Sequence, residues 1–566
     1  MFKKNKAHQQ PALISAIQDL PEKQRERLEH SWAGTFYREF FCRIPEDIFS
    51  VLYSDQPSRP NVPVNVLVGL EAIKAGFGWS DEELYDAFAY NLQVRHALGY
   101  DRLGDGDFEI RTLYYFRQRL SEYNMKHGAN LLEKAFENIT DKQIVELKIR
   151  TGHQRMDSTQ IASNIMDASR LHLVVEGIQR LHRILTPEEQ KRWSEWFAPY
   201  IKDSAGHYAY RVKGKEATQE HLGKAGKVIH TLLAELKSVY EKHEVYGVVE
   251  RLLTENFHVL NETVQVKENK ELPAGCLQSL DDLEATYRTK GTKHYKGYVA
   301  NVTETCDPQN DLQLITKVQV APNNTEDSHL LTEALPNLKE RTQLETLITD
   351  GAYPSPTNDD ELRQHKVHLI QTGIRGSKPD LERFNLSDFR IEQDPQGNPL
   401  SATCPNGQSA LVTCGTRSGW FARFPVEGCS TCPFQLSQQC RAKPQKRDPR
   451  YFIDFTSQEL HVAKRRQDYL AHKHDEHNLR AAIEATVRSI KHPFPAGHLP
   501  VRGRFRMTCV MISSAILVNV RRILNYRTKN AAKESGKTDP LSSCLFSFCQ
   551  KFVAQFFSTR LIPIFR

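Results

Sequence analysis

Apolar residues recur at helical spacing in the first quarter of the chain. The pattern predicts a helix over Val64–Phe77 and a second helix that begins at a capping box formed by Ser80 and Glu83. A third helix is expected over Phe108–Leu120, where Arg117 lies among aromatic residues. Three short helices of this kind are compatible with a helix-turn-helix-like DNA-binding unit, and a plain helical bundle with solvated arginines is the alternative.

The period of the pattern changes near residue 143, where strand-like stretches begin. A long polar helical segment over residues 160–255 separates the early strands from the later ones. Residues 358–365 read as a short helix between the last two strands. The predicted strands are Ile144–Ile149, Arg155–Thr159, Tyr298–Thr303, Leu312–Val320, Leu344–Asp350 and Val367–Gln371. This is a β-meander followed by a β-α-β unit, interrupted by insertions, and it predicts an α/β fold.

The last third of the chain returns to a helical pattern. Residues 457–490 read as one long helix or two in sequence, stopped by Pro493, and a last apolar helix is expected over Met507–Leu524. The longest apolar stretch, Cys509–Val520, is shorter than the roughly 20 residues that span a bilayer. The N-terminus lacks the apolar core of a signal peptide. We therefore expect a soluble cytoplasmic protein with no membrane partner.

Composition supports a globular protein with an uneven charge distribution. Hydrophobic residues make up 39% of the 566 residues and charged residues 26%. From Arg441 onward, 24 lysines and arginines stand against 9 acidic residues, whereas residues 1–440 carry 52 against 60. This asymmetry predicts a basic surface for a polyanion near the end of the chain, and a solvated basic tail is the alternative.

Three carboxylates stand out because of the elements that carry them. Asp157 and Asp350 each follow an apolar strand-like run, whereas Glu484 is expected in the middle of a helix. Glu484 shares its helical face with three cations, which are Arg480, Arg488 and Lys491. Such a face is also what a surface salt-bridge ladder would present. If the three acids converge, they provide the hard oxygen ligands that Mg²⁺ or Mn²⁺ needs for two-metal phosphodiester chemistry, with the cations beside the DNA backbone.

The motifs around these acids resemble those of a known family. Asp157-Ser158-Thr159 after a strand and Asp350-Gly351-Ala352-Tyr353 after another resemble the first two motifs of insertion-sequence transposases with an RNase H-like DDE core. Arg480, Glu484 and Lys491 fit the Arg-x3-Glu-x6-Lys spacing of the subgroup whose third motif begins with tyrosine, and His477 stands at that tyrosine's position. Supporting matches run from about residue 37 to about residue 525, including a helical domain before the core.

The resemblance implies a function and its partners. Such enzymes nick double-stranded DNA at the terminal inverted repeats of an element and join the freed 3′-hydroxyl to a target. It implies that Asp157, Asp350 and Glu484 bind Mg²⁺ or Mn²⁺, that Arg480, Arg488, Lys491 and Arg117 contact DNA, and that a homodimer assembles on two ends. An RNase H-like nuclease without strand transfer and a non-catalytic DNA-binding derivative are the alternatives. His477 leaves open whether a hairpin intermediate forms.

Five of the eleven cysteines fall within 37 residues of a stretch rich in glycine and proline. Cys404 opens a turn of the knuckle type, Cys429 and Cys432 form a CxxC pair, and Cys440 follows. These four are the expected ligands of a structural Zn²⁺, with Cys414 as a spare, because a loop-rich module has little core of its own. Reduced surface thiols without a metal are the alternative.

These inferences together predict the domain organisation. We expect an α/β, RNase H-like catalytic core with a helical N-terminal domain, a helical insertion and a zinc-knuckle-like insertion. The predicted units are a helical N-terminal domain over 1–125, the first part of the core over 126–372 with a helical insertion over 160–290, a cysteine-rich module over 373–450, the catalytic and C-terminal core helices over 451–530, and a basic and aromatic tail over 531–566.

Overall fold

The structure is a computed structural model. It describes residues 1–10, 15–54, 56–57, 59–260, 263–373, 380–394, 396–415, 419–444, 449–472 and 477–534, with the backbone alone at residues 472, 477–481 and 534. Residues 535–566, which make up most of the predicted tail, lie outside the described residues.

Helices occupy more of the described chain than strands. The helices are α1 (Glu22–Glu29), α2 (Trp32–Glu39), α3 (Val64–Phe77), α4 (Asp81–Tyr90), α5 (Leu92–Ala97), α6 (Arg111–His127), α7 (Leu131–Glu146), α8 (Arg170–Ile184), α9 (Pro187–Arg192), α10 (Ser194–Ile201), α11 (Ala205–Arg211), α12 (Lys215–Tyr240), α13 (Glu244–Asn256), α14 (Asp327–Thr342), α15 (Pro356–Gln364), α16 (Val426–Ser430), α17 (Pro433–Leu436), α18 (Ser457–His472), α19 (His477–Lys491) and α20 (Arg504–Glu534).

The strands form two six-stranded sheets and one two-stranded hairpin. They are β1 (His153–Ala162), β2 (Phe257–Leu260), β3 (Thr263–Val266), β4 (Thr286–Lys290), β5 (Lys293–Thr305), β6 (Ile315–Pro322), β7 (Thr346–Thr349), β8 (His368–Gln371), β9 (Arg390–Gln393), β10 (Pro399–Thr403), β11 (Ser409–Cys414), β12 (Gly419–Phe424), β13 (Lys443–Pro444) and β14 (Tyr451–Thr456).

The central sheet is mixed, with β1 in the middle. β1 pairs antiparallel with β5 on one edge and parallel with β7 on the other, and β7 pairs parallel with β8. The far edge of β5 pairs antiparallel with β6 and, through its first residues, with β4. β5 is buried from Gly297 onward, and β6 is buried up to Ala321.

One face of this sheet shares a hydrophobic core with the N-terminal helices. The core joins residues of α2, α3, α6 and α7 to β5, β6, α19 and α20. The backbone of Gly76 in α3 lies so close to α20 that an added Cβ would be 2.1 Å from Leu517 Cδ2. The predicted boundary at residue 125 falls inside α6, and the division into domains stays a prediction.

Two further units interrupt the sheet. α8 to α13 and the β2–β3 hairpin lie between β1 and β4 and enclose a core of their own. After β8, the strands β9 to β14 form an antiparallel sheet in the order β13-β14-β12-β11-β10-β9, again with a separate core. β14 leads directly into α18, which returns the chain to the central sheet.

Several predicted helices and strands are confirmed, whereas the strand over 144–149, the position of Asp157 in its strand and the length of the last helix differ from the prediction. α3 spans the predicted residues, and the capping box of Ser80 and Glu83 is present. The strand predicted over 144–149 was wrong. These residues end α7 and turn at Lys148 (φ 53°), because the helix that Asn130 caps continues through the β-branched pair at 144–145. Asp157 lies in the middle of β1 rather than at its end.

The last core helix is longer than the predicted Met507–Leu524. By length and composition, residues 504–533 could cross a membrane, but 67% of the most apolar 18-residue window is buried inside the protein. Met511, Ile512 and Ala515 are fully buried in the core shared with α3 and the sheet. α20 is therefore the central helix of a packed core.

Candidate active site

The site forms where β1 and β7 run side by side. Their parallel register places His153 opposite Thr346 and Arg155 opposite Ile348. Asp157 lies two residues beyond this pairing on β1, and Asp350 directly follows the end of β7. Neighbouring strands lie about 4.8 Å apart, so continuation of this register predicts adjacent positions for the two carboxylates. Both residues are half-buried. The carboxyl ends of parallel strands are the usual place for ligand-binding groups in α/β sheets.

Local hydrogen bonds hold both carboxylates. Asp157 Oδ1 accepts from the Ser158 amide at 3.0 Å. Asp350 begins a turn directly after β7, and its Oδ1 accepts from the Ala352 amide at 2.8 Å. The sequence after the strand therefore fixes the carboxylate through its own backbone, as Asx turns do.

Tyr353 anchors the turn that carries Asp350. Its side chain is fully buried, its hydroxyl donates to Asn301 Oδ1 at 2.7 Å, and its carbonyl accepts from Asn358 Nδ2 at 2.8 Å. Burial raises the pKa of Tyr353 well above its usual value, and the negative charges of Asp327, Asp157 and Asp350 raise it further. The tyrosine therefore stays protonated beside a concentration of negative charge.

Helix α19 covers the face of β1 on which Asp157 lies. Side chains alternate along a strand, so Arg155, Asp157 and Thr159 share one face. Lys491 Nζ, on α19, donates to Thr159 Oγ1 at 2.9 Å and to the carbonyl of Gln160 at 3.0 Å. Burial lowers the pKa of Lys491.

Glu484 lies on the exposed side of α19, near its middle. Three apolar residues of the helix, Ile483, Val487 and Ile490, are buried beneath it. Glu484 and Lys491 are seven residues apart and share a helical face, and Lys491 reaches β1 two residues beyond Asp157. The approach of Glu484 to the two aspartates stays a prediction.

The residues predicted to contact DNA occupy different settings. Arg488 is exposed on α19, and the side chain of Arg480 lies outside the described residues. Arg117 is held between two carboxylates, at 2.7 Å from Glu71 and 2.7 Å from Asp81. DNA contacts by these residues and by Lys491 stay predictions.

The chemistry of the acids suits a hard divalent cation. Asp157 and Asp350 offer carboxylate oxygens from adjacent positions, which Mg²⁺ and Mn²⁺ prefer as ligands. Within the described ranges, no three or more His, Cys, Asp or Glu side chains are arranged as a group that could hold a metal ion. The donor type therefore fits, while the three-acid arrangement expected from the sequence stays a prediction.

In the cysteine-rich module Cys404, Cys432 and Cys440 lie near Cys429, although the described cysteines do not form a group that could hold a metal ion. Cys429 is buried in the core of the module, and Cys404 and Cys440 pack against that core. Burial raises the pKa of Cys429 to about 11, and the neighbouring thiols Cys404, Cys440 and Cys432 contribute to the increase. Cys414 lies apart, exposed at the end of β11.

Turns of the knuckle type present these thiols. The amide of Gly407 (φ 81°) donates back to the carbonyl of Cys404 at 2.9 Å. The amide of Cys432 donates to the carbonyl of Cys429 at 3.2 Å. The same four cysteines that the spacing predicts therefore share one region, although metal binding itself stays a prediction.

Sequence reasoning missed a buried charged cluster beside the acids. Glu304, at the end of β5, is fully buried and contacts Arg155, Thr486 and Arg522. The available signal was an acidic residue directly after the predicted strand Tyr298–Thr303, where burial is costly unless the charge is paired.

Comparison with known proteins places the third acid within a family. Residues 403–524 match the family described as a transposase DDE domain. The match includes the four cysteines Cys404, Cys429, Cys432 and Cys440, α19 with Glu484, and most of α20. It begins after Asp157 and Asp350, so these two residues lie outside the matched segment. No curated protein and no solved structure matches the chain. Over these residues the chain is similar to the transposase DDE domain family, and this match supports its identification as an insertion-sequence DDE transposase.

Proposed function

We propose that the chain cleaves DNA at the ends of an insertion sequence and transfers the freed strand into target DNA. The observation that supports the proposal is the parallel register of β1 and β7, because its continuation by two residues would bring Asp157 beside Asp350. The family match to residues 403–524 includes the helix of Glu484. The strand order β6-β5-β1-β7-β8, with three antiparallel strands followed by two parallel ones, supports an RNase H-like core.

In this proposal each acid has a defined role. Asp157, Asp350 and Glu484 would hold Mg²⁺ or Mn²⁺, which when bound supplies activation of the attacking hydroxyl and stabilisation of the leaving oxygen. The Asp350 turn and the β1–β7 ladder keep two ligands fixed before substrate binds. Lys491 ties the helix of the third ligand to the strand of the first. The exposed side chain of Arg488 on α19 would lie along the DNA phosphates, and we propose the same role for Arg480.

A strand-transfer assay with a labelled element end tests the proposal. The wild-type chain should give cut and joined products that depend on Mg²⁺ or Mn²⁺. Asp157→Asn, Asp350→Asn and Glu484→Gln should each reduce both products by at least about 100-fold, because removing a metal ligand costs more than removing its outer support. Glu235→Gln, on the exposed face of α12, is the matched control and should behave like the wild-type chain.

The same assay separates the alternatives. Cutting without a joined product would identify a nuclease on this core. DNA binding without either product would identify a non-catalytic derivative. Because two ends must be processed together, we also propose a homodimer on DNA, which should appear as a complex of two chains with two labelled ends.

We propose that the cysteine-rich module binds a structural Zn²⁺ through Cys404, Cys429, Cys432 and Cys440. Support comes from the electrostatic influence of the other three thiols on the buried Cys429 and from the turns that present them. Thiolates are the ligands that tetrahedral structural zinc prefers.

Zinc content per chain, measured after purification, tests this site. Cys429→Ser should lose most of the bound zinc and unfold the module at a lower temperature. Cys414→Ser is the matched control, because that thiol is exposed and lies outside the group. Equal zinc content in both variants would reject Cys429 as a ligand.

A further inference from the structure

A buried carboxylate links the helix of Glu484 to the strand of Asp157. Glu304 is fully buried at the end of β5. Its Oε1 accepts from Arg155 Nε at 2.6 Å. Its Oε2 accepts from Thr486 Oγ1 at 2.8 Å and from Arg522 Nη1 at 2.7 Å. Both oxygens are therefore used, and the partners lie on β1, α19 and α20.

The partners flank the proposed metal ligands along the chain. Arg155 lies two residues before Asp157 on the same face of β1. Thr486 lies two residues after Glu484 on α19. Arg522 also hydrogen-bonds the Thr486 hydroxyl, so this hydroxyl contacts both charged groups. One carboxylate thereby connects the two elements that deliver the first and third acids.

Hydrophobic contacts alone would restrict the position of α19 relative to β1 less closely than hydrogen bonds do. The contacts of apolar side chains such as Ile483 and Ile490 are non-directional. A buried ion cluster contributes little to net stability, since desolvation offsets most of the attraction, but its hydrogen bonds accept only a narrow geometry. We therefore expect the cluster to determine the position of α19 more than the stability of the fold.

We infer that Glu304 is a positioning residue that sets Glu484 relative to Asp157 through Thr486. This inference rests on the proposed function. The tie of Glu304 to Thr486 holds the middle of α19, and the tie of Lys491 to Thr159 holds its C-terminal end. These two hydrogen bonds together fix the position of α19 along β1.

Thr486→Val tests the inference, because valine has nearly the same shape and lacks the hydroxyl. The half-saturating Mg²⁺ concentration for cleavage of a labelled element end should rise at least about tenfold, as for other losses of outer support at metal sites. Thr486→Ser, which keeps the hydroxyl, should remain within about twofold of the wild-type chain. Binding of the labelled end without metal should be the same in all three.

A second ion cluster provides the control for a merely structural role. Asp141 on α7 pairs with Arg341 of α14 at 2.6 Å, away from the three acids. Asp141→Asn should lower the thermal unfolding temperature and leave the half-saturating Mg²⁺ concentration unchanged. If Thr486→Val behaves in the same way, Glu304 has only a structural role and the inference is overturned.

Failure of the inference is distinguishable from failure of the proposed function. If the wild-type chain shows no metal-dependent cleavage, or Glu484→Gln cleaves as well as the wild-type chain, the proposed function fails and the inference fails with it. If Glu484→Gln abolishes cleavage while Thr486→Val and Thr486→Ser require equal Mg²⁺, only the inference fails.

Discussion

The ammonium of Lys491 allows a sharp test of how the site is held together. The sequence motif predicts that it contacts DNA, whereas in the structure its Nζ donates to Thr159 and to the carbonyl of Gln160. Lys491→Met keeps an unbranched apolar chain and removes the charged donor. Because hydrogen bonds from charged groups contribute about 1.5–3 kcal/mol, we expect the free energy of unfolding to fall by roughly 2 kcal/mol.

Two measurements on the same variant separate the roles. Urea denaturation gives the change in stability, and the salt dependence of DNA binding reports phosphate contacts. Removing one phosphate contact to double-stranded DNA reduces the slope of log K against log salt by about 0.9, whereas removing the tie to β1 leaves the slope unchanged. Lys227→Met, at an exposed position of α12, is the control for removing one positive charge. A reduced slope with unchanged stability would refute the structural role of Lys491.

Further variants test the packing around the site. Burial opposes ionisation of Asp81, but its hydrogen bonds and ion pair with Arg117 prevail and hold its pKa at about 2. Since this lies below the unfolded value of about 4, the contribution of Asp81 to stability is present above pH 4 and is lost as the pH falls towards 2. An acid titration followed by circular dichroism should therefore show a smaller loss over this range for Asp81→Asn. Gly76→Ala would place its Cβ 2.1 Å from Leu517 and should cost about 1–3 kcal/mol in urea denaturation. Gly247→Ala, where an added Cβ meets nothing within 4 Å, should instead add about 0.5–1 kcal/mol.

Periodicity predicted most of the central elements because their patterns are strong. α3 is largely buried and the helix of Glu484 is amphipathic. Of the later strands of the sheet, β7 has a buried apolar centre, whereas β4 is polar and was not predicted. The failure at 144–149 has a local cause. Ile144 and Leu147 pack together with Ile149 at the end of α7, so a stretch of β-branched residues serves as the apolar end of a helix. The β-strand propensity of residues 144–149 was too weak to end the helix that Asn130 caps.

The candidate site was predictable only in its individual parts. Motif spacing predicted Asp157, Asp350 and the helix of Glu484, but the parallel register of β1 with β7 joins segments almost 200 residues apart in the sequence. Glu304 was missed for the same reason. Its partners come from three distant segments, and a single acidic residue in a strand gives no sign of which cations will surround it.

The long spacings between the three acids are compatible with one site because the extra residues do not interrupt the strand pairing. Asp157 and Asp350 are 193 residues apart, yet the ladder of β1 with β7 ends two residues before each of them. The helical insertion leaves after β1 and the chain returns as β4, with the inserted helices enclosing their own core. The cysteine-rich module leaves after β8, and the chain returns as α18. There the Gln371 side chain of β8 donates to the carbonyl of Arg465 at 2.7 Å. Because each insertion buries its own apolar residues, its length adds only a slowly growing loop-closure cost. The geometry of the acids therefore depends on the β1–β7 register and on the ties of α19, and not on the length of chain between them.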